Sequence, residues 1–110
     1  MTIKDIANLA ASAGLPWGYD HFAEGEESEL PYLLYYYPSE NDFYADGENY
    51  ANIREVTFEL YTRTKDTASE KAFEDVLRSA DLSWYKSTDY LSDERICQTT
   101  YETEVIINAE

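Results

Sequence analysis

The residues that could carry chemistry are few, and each is poorly placed for it. The chain has one histidine, His21, and one cysteine, Cys97. A Cys–His pair needs a third group to orient the base and a site for the oxyanion. Cys97 falls in the middle of a strand-like segment, on its more apolar side, where a buried and inert thiol is the usual outcome. One histidine and one cysteine cannot build a structural zinc site. Calcium is the better question, because Glu40, Asp42, Asp46 and Glu48 crowd one segment. Counted as a calcium loop from Asp42, however, Tyr44 takes the third position and Ile53 the twelfth, where a bidentate glutamate belongs. Carboxylate pairs for acid–base work carry no signal in so acidic a chain. No phosphate-binding loop, dinucleotide fingerprint or nucleophile elbow is present. These readings predict no catalytic, cofactor-binding or metal-binding residue, and a protein that is not an enzyme.

The elements that would position any site are clearer. Residues 2 to 13 have the periodicity of an amphipathic helix through Ile3, Ile6, Leu9, Ala10 and Ala13, opened by a Thr2–Asp5 capping box and stopped by Gly14 and Pro16. Trp17 to Phe22 reads as a short strand or an irregular piece. Residues 31 to 38 form a strand apolar on both sides, hence one covered on each face. Residues 53 to 62 alternate cleanly, with Val56, Phe58 and Leu60 against Glu55, Thr57, Glu59 and Tyr61, and are expected to form a hairpin with the strand before them. Residues 67 to 80 read as the stronger helix, with a Thr67–Glu70 capping box and a stripe of Ala68, Ala72, Phe73, Val76, Leu77 and Ala80. Lys71–Asp75 and Glu74–Arg78 are spaced as ion pairs on its outer side. Strands follow at 83 to 88 and 95 to 107, the latter setting Cys97, Tyr101, Val105 and Ile107 against Gln98, Glu102 and Glu104. The order predicts a single α+β domain over 1–110, a mostly antiparallel β-sheet with two main helices packed on one face.

Composition narrows the partners. With 23 acidic and 8 basic residues the net charge is -15, which argues against direct nucleic-acid binding and against anionic membrane surfaces. No stretch approaches the roughly 20 apolar residues of a membrane span, and the first residues lack the basic and apolar run of a signal peptide. The 11 tyrosines point to a surface that is both wet and adhesive, as at protein interfaces, beyond those that fill a small sheet core.

Several segments also carry a resemblance: Leu30 to Pro38, Asp42-Phe43-Tyr44-Ala45-Asp46 leading to Tyr50, Ile53 to Thr62, Lys65-Asp66 with the helix after it, and Tyr101 to Ile107. This succession resembles the small tail-terminator, or tail-completion, proteins encoded among the head–tail joining genes of tailed phages and prophages of Gram-positive bacteria. The resemblance covers about residues 28 to 107. It implies an α+β virion protein without catalytic residues, made in the host cytoplasm, that assembles into a ring, commonly a hexamer, at the head-proximal end of the tail. Its partners would be further copies of itself and tail-tube or head-connector proteins.

The long polar segment at 39 to 52 is the expected interface, with Phe43, Tyr44 and Tyr50 as aromatic anchors and Asp42 and Asp46 beside them. A ring around DNA would further cluster acidic side chains toward one end or the ring axis and not spread them evenly. The competing reading is an acidic DNA mimic, or another inhibitor module that binds a basic protein.

Overall fold

The protein is described from a computed structural model that covers residues 1–22, 29–38 and 52–107. Seven elements follow in order: α1 (Ile3–Ala11), β1 (Trp17–Tyr19), β2 (Tyr32–Tyr36), β3 (Asn52–Thr62), α2 (Thr67–Ser79), β4 (Trp84–Leu91) and β5 (Ile96–Ile107). This is an α+β fold with a five-stranded, mostly antiparallel sheet in the order β1-β2-β3-β5-β4.

Local chemistry sets the ends of the helices. Thr2 caps α1: its hydroxyl accepts from the Asp5 amide at 3.2 Å, and the Asp5 carboxylate accepts from the Thr2 amide at 2.8 Å. The reciprocal box satisfies two amides that the first turn leaves open. The helix stops short of residue 13, and Gly14 follows at φ 78, a conformation that side-chain-bearing residues rarely adopt. For α2 the expected Thr67–Glu70 box is replaced. Asp66 is the cap and accepts from the Ser69 amide at 3.0 Å and from its hydroxyl at 2.8 Å.

That replacement has a tertiary cause, because Glu70 is used elsewhere. It is buried, and its carboxylate lies 3.0 Å from the Lys65 ammonium and 2.8 Å from that of Lys86 on β4. The buried side of α2 is therefore Glu70, Phe73 and Leu77, while Ala68 and Ala72 of the expected stripe are exposed. Ile3 of the α1 stripe is also exposed, leaving Ile6 and Ala10 as its buried pair.

β2 and β3 form the expected antiparallel pair, Leu33 opposite Leu60 and Tyr35 opposite Phe58. β1 is a true strand and runs parallel to β2 on its other side, so β2 is interior and Leu33, Leu34 and Tyr35 are all buried. From β3 the chain crosses through α2 to β4, and β5 then returns between the two, pairing antiparallel with both. β4 extends to Leu91, so Tyr90 belongs to a strand and not to the connection expected there.

Alternation sends Leu33, Tyr35, Val56, Phe58, Leu60, Tyr101 and Val105 to one side, where Ile6 and Ala10 of α1 and Phe73 and Leu77 of α2 complete a single core. Its centre is a cross-strand row, Tyr19–Tyr35–Phe58–Tyr101–Lys86. Neighbouring ring centroids are 5.2 Å apart for Tyr19–Tyr35 and 5.9 Å for Tyr35–Phe58. Phe73 sits 5.0 Å from Phe58 and 5.2 Å from Tyr101, tying α2 to the row. At the row's end Lys86 and the Tyr101 hydroxyl both donate to Glu74, at 2.7 and 2.9 Å.

Phe73→Ala should therefore cost about 3–5 kcal/mol in a urea titration. Lys86→Met leaves two glutamates short of a donor and should cost about 2 kcal/mol. Burial works to raise the Glu74 carboxyl, but the hydrogen bonds from Lys86 and Tyr101 and the charges of Lys86 and Arg78 hold it below the ordinary 4.5. A depressed carboxyl stabilises the fold above its unfolded value and loses that contribution as pH falls. Stability should thus drop below about pH 4.5, and Glu74→Gln should make that drop shallower.

Candidate functional site

Among the described residues the other side of the sheet carries no helix. Strand alternation places on it Tyr32, Leu34 and Tyr36 of β2, the odd-numbered residues of β3 from Ile53 to Tyr61, the even-numbered residues of β5, and Tyr85, Ser87 and Asp89 of β4. Its β1–β2 corner is tiled with rings. Phe22 packs edge-on to Tyr32 at 5.1 Å, and Tyr32 stacks on Tyr61 at 5.0 Å. Gly18 permits this cover, since a Cβ there would lie 3.3 Å from both Phe22 and Leu34.

A polar network crosses the centre. Gln98 donates to the Tyr61 hydroxyl at 2.8 Å, Tyr61 donates to Glu59 at 2.7 Å, and Tyr36 donates to the same carboxylate at 3.3 Å. Burial is the main force raising both phenols, and the hydrogen bond to the Glu59 carboxylate adds to it. Both tyrosines therefore stay neutral as donors and supply no base at neutral pH.

Toward the β4 side lies a cleft of about 730 Å³. Its floor is one cross-strand row, Tyr36–Thr57–Glu102–Tyr85. Beside that row Glu55 stands directly opposite Glu104, a like-charge pairing that costs stability. Asp81, Leu82, Ser83 and Trp84, with Pro38, Val56 and Thr103, complete the lining. No Lys, Arg or His lines this cleft. Arg63 lies in a smaller hollow of about 470 Å³ with Glu29, Leu30, Tyr32 and Ile96. Among the described residues acid stands on both sides of the sheet, with Glu55, Glu102 and Glu104 around this cleft and Glu70, Glu74 and Asp75 on α2.

Sheet edges supply the other exposed features. β4 is the outer strand, paired only with β5 among the described residues, and its Tyr85 and Tyr90 are 71% and 59% exposed. Ile53 and Ile106 form an exposed cross-strand apolar pair.

The residues expected to form the interface, Asp42, Phe43, Tyr44, Asp46 and Tyr50, lie outside the described residues. His21 is exposed and lies 2.9 Å from the carboxylate of its neighbour Asp20. Cys97 is buried on the helix-covered side, as its strand position suggested. Among the described residues no group of three His, Cys, Asp or Glu side chains converges to hold a metal ion, and no helix is long and apolar enough to cross a membrane. The cleft was missed from sequence because its floor joins four strands; the alternation of Glu102 and Glu104 against the buried positions was its only local sign.

Among the described residues, fold and site together define an α+β protein with one sheet face covered by helices and the other free of them, with Glu55, Glu102 and Glu104 around a cleft. No protein-family model, curated protein or solved structure matches the chain.

Two outcomes follow from this face. Glu104→Gln should raise stability by a few tenths of a kcal/mol at low salt, with the gain shrinking as salt screens the Glu55 charge. Unfolded tyrosines lose their protons near pH 10, whereas folded Tyr36 and Tyr61 hold theirs. That stabilising contribution is complete below pH 10 and is lost above it. Tyr61→Phe should flatten the alkaline limb of a stability–pH profile.

Proposed function

We propose that this chain is a structural assembly protein of a tailed phage or prophage, a tail terminator or head–tail joining component that works by closing into a homo-oligomeric ring. The observation that carries the reading is the eight-residue outer strand β4, exposed along its length and bearing Tyr85 and Tyr90. Native sheets usually blunt such an edge with outward lysines or cover it. Here the strand's one lysine, Lys86, is drawn under α2 by Glu70 and Glu74. An unguarded edge at β4 and a second, short edge at β1 suit head-to-tail contact between copies, the geometry that closes a ring. The resemblance in the strand and helix segments supplies the phage setting.

The reading as an acidic DNA mimic is weaker. A mimic needs extended ranks of carboxylates. Here Glu55, Glu102 and Glu104 form one short patch, and Glu70 and Glu74 are committed to Lys65 and Lys86.

Light scattering behind a sizing column, at low and at moderate salt, tests the proposal. The expected result is a species near six times 12.7 kDa, favoured by salt because screening relaxes the mutual repulsion of subunits at -15 each. Tyr85→Lys with Tyr90→Lys should abolish that species and leave a folded monomer. A strict monomer at every salt, alone and when mixed with phage tails, would overturn the ring. Phe43→Ala with Tyr44→Ala should impair ring formation or docking without unfolding the monomer; unfolding would show that those rings are core.

A further inference from the structure

We propose that the cleft on the bare face docks an arginine- or lysine-bearing segment of a partner protein. The inference goes beyond ring assembly, because the cleft is lined by residues of a single chain.

Charge complementarity identifies the occupant. All eight basic residues of the chain are among the described residues, and none of them lines the cleft. Five of them are engaged elsewhere. Lys65, Lys71, Arg78 and Lys86 pair with acids of α2, and Arg54 lies over the Tyr37 ring at 5.1 Å. Among the described residues none of the cleft's carboxylates, Glu55, Asp81, Glu102 and Glu104, stands in an ion pair, and no cation lines the cleft beside them. Glu55 and Glu104 stand directly opposite one another, so the empty cleft carries a repulsion that an incoming cation removes.

The aromatic walls reinforce the choice. Tyr36 and Tyr85 bound the row that holds Glu102. A guanidinium or ammonium seated there meets carboxylates and ring faces together. Nucleic acid is repelled by the same groups, and a second copy at -15 brings few uncommitted cations. A space of about 730 Å³ exceeds one guanidinium and fits a segment that contributes more than one side chain.

The test uses the full chain and a fluorescently labelled heptapeptide of alternating threonine and arginine. Anisotropy should report binding that weakens about tenfold or more in the triple variant Glu55→Gln, Glu102→Gln and Glu104→Gln. A control triple, Glu29→Gln, Asp93→Asn and Glu94→Gln, removes the same charge away from the cleft and should change affinity far less. Amide NMR shifts on titration should concentrate on Thr57, Tyr85, Glu102 and Glu104. Tyr85→Ser provides an independent second variant with a several-fold expected loss; unchanged affinity there would overturn the role of the aromatic wall and with it the proposal. Equal loss in the two triples, or shifts scattered over the surface, would reduce the effect to net charge and overturn it. Displacement of the peptide by equimolar spermine would overturn it as well, since the cleft would then be a site for small polycations.

Discussion

The fold depends on one cross-strand row, Tyr19–Tyr35–Phe58–Tyr101–Lys86, with Phe73 laid across it. It runs across all five strands and gives α2 its seat. A strand's side chains alternate strictly, so this register also decides what the other face carries. With Phe58 and Tyr101 inward, Thr57, Glu59 and Glu102 must face outward. A slip of one residue would bury a file of glutamates, so the acidic face is the obligatory reverse of the aromatic core.

Charge follows the same division. The helix side takes both signs: Glu70 and Glu74 descend from α2 and gather Lys65, Lys86 and the Tyr101 hydroxyl. A buried carboxylate is tolerated only with such partners, because desolvation otherwise disfavours its charge. The cations drawn there are unavailable to the bare face, where Glu55, Glu102 and Glu104 stand together around a cleft. These few carboxylates thereby make a local negative field at the cleft.

Two surfaces remain for function, and they meet at Tyr85. The β4 edge offers unpaired backbone along the plane of the sheet, suited to another chain added laterally. The cleft has its floor on the row Tyr36–Thr57–Glu102–Tyr85 of the other face. A ring built through edges would leave the cleft open to a second partner. Tyr85 serves both, standing on the edge strand and closing one end of the cleft's floor.

Much of the fold was legible in the sequence. The Thr2–Asp5 cap, the alternation of β3 and β5, the β2–β3 hairpin and the α+β class all follow from spacings of two to four residues, which local backbone geometry enforces. The capping of α2 was misread because the Thr67–Glu70 spacing is satisfied equally by Glu70 reaching two lysines, one of them Lys86 on a later strand. The expected interface at Asp42 to Tyr50 falls outside the described residues, and the candidate site lies elsewhere. By itself the sequence determined which residues alternate, where α1 is capped and that acid exceeds base. Only the tertiary structure decided that β5 enters between β3 and β4. That placement sets Tyr36, Thr57, Glu102 and Tyr85 in one row. The reason is physical: such neighbours are created by pairing between segments far apart in the chain, and no local spacing encodes which strands will meet.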